Sequence, residues 1–272
     1  GEFDKAVRHF DAIPQSSSTW LDALFESSWA YYRLDQHNRA LGNLHSLNSP
    51  YFSGQYYPEA PILQAVILLS ACRYKGVRNT LDIYDETYGP LLDQLEQTTS
   101  QLNTDDDYYA FYADAARRVA GEFDPRLAQI TNAALSDRSV RLAADALHDM
   151  QREFDTIDRS DPAWRGSDLA AYLLDSLAQA REAGERRLGG LVRARLDRIL
   201  EQLRSHRRDA EAIRVETDLA EANPDGNNQN PSALGDAQAA RPEWYQMAWP
   251  FEREYWRDEL GHYSYHIESK CR

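Results

Sequence analysis

The side chains best suited to chemistry crowd the C-terminus: Asp258, Glu259, His262, His266 and Cys271 fall within fourteen residues. On a helix, His262 and His266 stand one turn apart and can grip a metal ion together with Glu259, as i, i+4 imidazoles do at zinc sites. The neighbouring pattern argues against that. Gly261 interrupts it, and Tyr263, Tyr265 and Ile267 alternate with His262, Ser264 and His266, a period of two. In extended chain the two histidines stand about 13 Å apart and cannot share one ion. A metal-binding protein or metal-dependent enzyme built on this tail is therefore the outlying alternative, and no metal or other cofactor is expected.

Other chemical constellations are thinner. His37 and His45 flank a helical stretch with no nucleophile placed beside either, and read as solvated or turn residues. The serines Ser16–Ser18 and Ser27-Ser28 read as caps and small packing residues. Asp105–Asp107 lacks the alternating ligand spacing and later glutamate of a calcium loop, and suits a helix start. There is no Gly-rich phosphate loop, nucleophile elbow or paired-cysteine metal spacing, so no catalytic residue is assigned.

Composition sets the class. The 272 residues are 42% hydrophobic and 27% charged, the make-up of a globular chain with a real core. A net charge of -14 speaks against general nucleic-acid binding, which needs a basic face. Charge is uneven: residues 91–123 carry seven acids, whereas residues 181–214 carry ten arginines against six acids. Such faces can be merely solvated, or can steer a partner to one side. The longest apolar stretch, Ile62 to Cys72, is too short to span a bilayer. Cys72, inside that stretch, reads as a buried thiol, with a Cys72–Cys271 bridge as the alternative. The chain opens at Gly1 in mid-pattern, as a piece of a longer protein would.

The elements that must position these residues are helices. Ala6, Phe10 and Ile13 fall at i, i+4 and i+7, and thirty-four residues later Ala40, Leu44 and Leu47 repeat the spacing. Such a period marks stacked helical hairpins. Helices are expected over Glu2–Ile13, Trp20–Leu34 and Asn38–Leu47, then a connector Asn48–Tyr57 and a new pair from Pro58. Ala71 and Tyr74 repeat Ser28 and Tyr31 forty-three residues on. Thr80, Tyr84 and Thr87 echo Ala40, Leu44 and Leu47 more loosely, and Pro90 breaks the segment.

A small residue followed three later by tyrosine, then Ala with an aromatic or Leu at i+4, resembles the tetratricopeptide repeat over about a third of the chain. The first-helix Trp position holds Leu24, the Leu-Gly pair is Ser27-Ser28, and the closing Pro is absent. The closing string Trp249-Pro250-Phe251 through Glu254-Tyr255-Trp256-Arg257-Asp258-Glu259-Leu260-Gly261 to Cys271 resembles the C-terminal ends of tetratricopeptide proteins from myxobacteria and related deltaproteobacteria. Several of those are associated with the cell envelope and gliding motility. The resemblance implies a scaffold on the periplasmic side of a bacterial envelope.

Beyond a polar link, Thr98 to Asp107, the pattern stays helical. Tyr108–Gly121 forms a short aromatic helix. Residues 125–159 carry a heptad seam of Val140, Ala143, Leu147, Met150, Phe154 and Ile157. After a turn at Ser160–Ser167, a long pattern runs to Asn223 in two registers. Leu173, Leu177, Ala180, Gly184, Arg187 and Leu191 form the first. Val192, Leu196, Ile199, Leu203, His206, Ala210, Ile213, Thr217 and Ala220 form the second. The slip falls at Gly189-Gly190, read as a break or flexure because the pair costs about 2 kcal/mol of helix propensity. The expected arrangement is an antiparallel coiled hairpin, its far end projecting, folding back, or pairing in a homodimer.

The resulting expectation is an all-α protein. TPR-like hairpins fill 1–90, a helical region with a long coiled hairpin fills 91–222, a flexible linker follows at 223–241, and an aromatic docking tail fills 242–272. Function is expected to be non-catalytic protein–protein assembly, with a homodimerising coiled coil as the alternative. The expected partner-binding residues are Tyr31, Tyr32, Tyr56, Tyr57 and Tyr74 in the repeat groove, with Trp249, Phe251 and Trp256 in the tail.

Overall fold

The computed structural model describes residues 2–117, 137–223 and 247–271. The start of the 125–159 helix, nearly all of the expected linker, and Trp244 and Tyr245 lie outside them. Among the described residues every regular element is helical. The α-helices are α1 (Phe3–Asp11), α2 (Trp20–Arg33), α3 (His37–Leu47), α4 (Glu59–Ser70), α5 (Tyr74–Thr99), α6 (Asp105–Arg117), α7 (Arg138–Asp158), α8 (Pro162–Arg165) and α9 (Asp168–Ala222). A 3-10 turn, Pro50–Phe52, lies in the connector after α3. Two compact units divide the chain, cutting α5 after Pro90 and α9 after Leu203.

In the first unit (residues 1–53, 57–90 and 204–272) α1, α2, α3 and α4 stack in order. Helix α2 meets α3 closely because Ser27 and Ser28 are small and fully buried; Ser28 Oγ satisfies itself on Leu24 O at 2.8 Å. Asn43 Nδ2 donates to Ser27 Oγ at 2.7 Å across the same contact. Around these polar atoms lie Leu24, Ala30, Ala40, Leu44 and Leu47, with Leu63 and Ile67 from α4. Each fully buried Leu or Ile contributes about 1.5–3 kcal/mol.

Helices α2 and α4 end in the same turn. Asp35 and Cys72 take left-handed φ angles of 58° and 54°. Gln36 N–H reaches back to Tyr31 O and Arg73 N–H to Leu68 O, both at 2.9 Å, so each helix closes in a Schellman motif. These equivalent turns stand thirty-seven residues apart. The offset matches Ala40, Leu44 and Leu47 with Val77, Leu81 and Tyr84, all buried. Tyr74 therefore opens α5 instead of repeating Tyr31 within a first helix, and the small-residue counterpart of Ser28 is Ala65, 0% exposed.

Pro90 does not break α5. The helix runs through it to Thr99 because Leu91, Leu92 and Leu95 on the far side are all buried. Their burial offsets a proline penalty of about 3 kcal/mol. The last third of α9 also belongs to this unit: Ala210, Ile213 and Thr217 are buried, Arg78 pairs with Asp218 and Glu221, and Arg214 pairs with Asp82 and Asp85. That portion neither projects nor folds back.

The second unit spans residues 54–56 and 91–203. Thr104 and Asp107 form a reciprocal capping box at the start of α6: Asp107 Oδ2 accepts from Thr104 N–H at 2.8 Å while Thr104 Oγ1 accepts from Asp107 N–H at 3.2 Å. Helices α7 and α9 run antiparallel, with Asp137 beside Arg198, Leu147 beside Gly184 and Gln151 beside Arg181. The heptad residues of α7 are the less exposed face of that helix, from Val140 to Ile157. In α9, Leu188, Val192, Leu196, Ile199 and Leu203 are almost fully buried.

Gly189-Gly190 does not break α9, which is continuous over 55 residues. A Cβ at Gly189 would lie 1.8 Å from Asp105 O, so this glycine lets the backbone at the start of α6 come close to α9.

Candidate functional site

Helix α3 is covered on both sides, which explains why eight consecutive residues, Ala40 to Leu47, are all buried. Ala40, Asn43, Leu44 and Leu47 face the helical stack. Asn38, Gly42, His45 and Ser46 fall on the opposite side of the wheel. Along that second side lies the tail: a turn through residue 262, then residues 263–271, which form no regular secondary structure and alternate in burial as far as Glu268.

Five hydrogen bonds seat it, one of them from Arg73 Nε to Glu268 O at 2.9 Å and four from its own backbone. Gly261 N–H donates to Ser46 Oγ at 2.8 Å, Tyr265 N–H to Asn38 O at 2.9 Å and Ile267 N–H to Asn38 Oδ1 at 3.2 Å; beyond α3, Lys270 N–H reaches Ala71 O at 2.9 Å. The close approach depends on two glycines. A Cβ at Gly42 would lie 1.8 Å from Tyr263 O. Gly261 holds a φ of 86° against the indole of Trp20, a conformation open to glycine.

The side chains alternate as their spacing requires. Gly261, Tyr263, Tyr265 and Ile267 turn towards the body, and His262, Ser264, His266 and Glu268 are exposed. Ile267 enters the core around Leu41 and Ala71. The period of two is thus an extended chain on a helix, not a strand in a sheet. His262 and His266 sit on its exposed side, so the helical juxtaposition needed for a shared ion does not arise. Among the described residues no group of three metal-ligating side chains gathers.

His45 is the centre of the contact. Its ring stacks on Tyr255 at 4.7 Å and meets Phe251, Tyr263 and Tyr265 edge-on at 4.5, 4.9 and 5.6 Å. Desolvation in this cage holds the His45 pKa below its usual value, while Glu254 pulls the other way. Burial pushes the Tyr255 hydroxyl up to about 12. The cage therefore favours a neutral imidazole.

The tail ends in a covalent clamp: Cys72 and Cys271 form a disulfide with a Cα–Cα distance of 5.1 Å, across 199 residues of sequence. Cys72 is buried, but as a half-cystine rather than a thiol. It occupies the left-handed turn after α4, and the Lys270–Ala71 backbone bond delivers Cys271 beside it.

The expected partner-binding residues are scattered. Tyr31 is 5% exposed; its hydroxyl donates to Asp11 Oδ2 at 2.7 Å and the Arg39 guanidinium lies over its ring. Tyr32 is half-buried against Trp29 and His37. Tyr57 donates to Asp22 Oδ1 at 2.7 Å and packs on Phe25. Tyr56 and Tyr74 are half-buried, and Tyr56 falls in the second unit. In the tail, Trp249, Phe251 and Trp256 stay 56%, 48% and 39% exposed, with the two indoles 5.0 Å apart.

Sequence reasoning passed over Asn38, Gly42 and Ser46, and it read His37 and His45 as solvated or turn residues, whereas both are buried in α3. The available signal was a glycine inside an amphipathic helix, opposite its buried apolar stripe. No protein-family model matches the chain, and neither a curated protein nor a solved structure does.

Proposed function

We propose that the protein is a non-catalytic scaffold for protein–protein assembly, built from tetratricopeptide-like hairpins and working on the periplasmic side of a bacterial envelope. The observation that carries this reading is the extended tail on α3. Acceptors on Asn38 and Ser46, the close approach at Gly42 and the His45 ring make that helix face suited to an extended polypeptide. The Cys72–Cys271 bridge supports an oxidising compartment. Exposed Trp249, Phe251 and Trp256 supply rigid apolar contact area of the kind enriched at interfaces. Tyr32, Tyr57 and Tyr74 offer partly exposed rings, while Tyr31 is buried with its hydroxyl on Asp11.

The test is affinity capture from the native envelope with the wild-type chain and a Trp249→Ala/Trp256→Ala variant. The same specific proteins should be recovered by the first and lost from the second, at equal thermal stability. Recovery by both, or by neither, sinks the reading.

A homodimer through α9 is the second reading, favoured by Val215 and Leu219, which lie 59% and 66% exposed. Sedimentation of the chain as a strict monomer at micromolar concentration removes it.

A further inference from the structure

Few of the tail's side chains reach the core, and most of its length lies at the surface. Between Glu259 and Cys271 only Leu260 and Ile267 are buried, and every other described side chain is half-exposed or exposed. Its specific hold consists of alternating anchors, backbone donors and the ring cage, which are the determinants by which a groove selects an extended peptide. The body side is complete without the tail: Asn38, Gly42, His45 and Ser46 belong to α3, and α3 is fixed from behind by α2 and α4. Residues 259–271 thus display the chemistry this face accepts.

We propose that the Asn38–Gly42–His45–Ser46 face of α3 is a polypeptide-binding site that residues 259–271 occupy in cis, and that a partner's extended segment bearing aromatic side chains at alternate positions replaces them once the Cys72–Cys271 bond is reduced. The proposal rests on the scaffold reading above and names its ligand and its gate. The gate is thiol–disulfide exchange with a dithiol. One thiolate of the reductant attacks the exposed Cys271 sulfur and displaces Cys72. The second thiolate then displaces Cys271. Two electrons pass to the protein pair, the two thiol protons end on Cys72 and Cys271, and the reductant leaves as a disulfide. Cys271 is the exposed partner and Cys72 the buried one, so attack has one accessible side.

The experiment captures an occupant covalently on the full chain. A synthetic peptide of residues 259–271, carrying Cys271, is incubated in a glutathione redox buffer with the Cys271→Ser chain, and the adduct at Cys72 is followed by mass. A second peptide carries Tyr263→Ala and Tyr265→Ala. The native peptide should form the adduct about tenfold faster than the second, since two ring contacts with His45 are lost. Oxidised wild-type chain should form none until a dithiol is added. The reduced wild-type chain provides the same measurement without any substitution. Equal rates for the two peptides, or no adduct with the native one, overturns the proposal. A tail-exchanged dimer of the reoxidised chain alone overturns the partner assignment in favour of a second copy. Envelope capture through Trp249 and Trp256 reads the scaffold function independently, so the two failures are distinguishable.

Discussion

Gly42→Ala sets helix propensity and packing in direct opposition. Considered alone, α3 should gain about 1 kcal/mol from the substitution. The new Cβ, however, would stand 1.8 Å from Tyr263 O and 2.6 Å from its carbonyl carbon, both backbone atoms that no rotamer can move. Restoring ordinary contact drives the tail back by about 1.5 Å. That retreat takes the Gly261, Tyr265 and Ile267 donors, now 2.8, 2.9 and 3.2 Å from their acceptors, out of bonding range. Three such bonds are worth about 3 kcal/mol net. Withdrawing Ile267 from the core adds about 2 kcal/mol. The helix gain is the same whether the tail is docked or open, so docking loses the full sum of about 5 kcal/mol, which raises the open population about 5,000-fold. The disulfide keeps the tail tethered, so the effect is local. Hydrogen exchange should show peptides covering 259–271 losing protection while those from α2 and α4 keep theirs. An unchanged tail together with a higher melting temperature would refute the reasoning, because propensity would then have won.

The glycine pair in α9 gives a matched contrast. Gly189→Ala places a Cβ 1.8 Å from Asp105 O and should cost about 1–3 kcal/mol in urea unfolding. Gly190→Ala meets nothing nearer than Asp105 Oδ2 at 3.4 Å and should instead gain about 0.5–1 kcal/mol. Pro90→Ala, at an exposed position inside α5, should raise stability by up to about 3 kcal/mol in the same assay. The pH response follows from His45, whose pKa in the folded chain lies below 6.5. Below 6.5 the unfolded chain binds the extra proton, so stability is full above that value and falls as pH drops towards the folded pKa. Tail docking, read by Trp249 and Trp256 fluorescence, should therefore weaken as pH falls below about 6.5, and His45→Phe should flatten that part of the profile.

What the sequence disclosed follows from distance along the chain. The register of α9 from Val192 to Ala220 could be read because a helix repeats its own contacts every turn, and every seam position there is buried or half-buried. The alternation from His262 to Ile267 likewise announced non-helical backbone, and from Tyr263 to Cys271 the chain has no helix. Its partner was hidden: Gly261 pairs with Ser46 across 215 residues and Ile267 with Asn38 across 229, and no local pattern encodes which helix a segment will meet. Tyr31 shows the same limit in reverse. Its repeat position suits a groove, but whether its hydroxyl faces a guest or Asp11 depends on where α1 packs.

The glycines carry this argument furthest. On a propensity scale Gly42, Gly89, Gly189 and Gly190 are equivalent defects of about 1 kcal/mol each. In the fold they are not. A Cβ at Gly89 would meet nothing within 4 Å and one at Gly190 only ordinary contacts, whereas Gly42 and Gly189 each admit another segment's carbonyl to the helix surface. Both of the latter adjoin fully buried leucines, Leu41 and Leu188, so burial keeps the helix intact where propensity would let it fray. A buried neighbour does not by itself mark such a crossing, since Gly76 and Gly89 also adjoin buried residues, Val77 and Tyr88, and meet no other segment's backbone. What singles out Gly42 is the Tyr263 carbonyl against its surface, the contact on which the tail's seat depends.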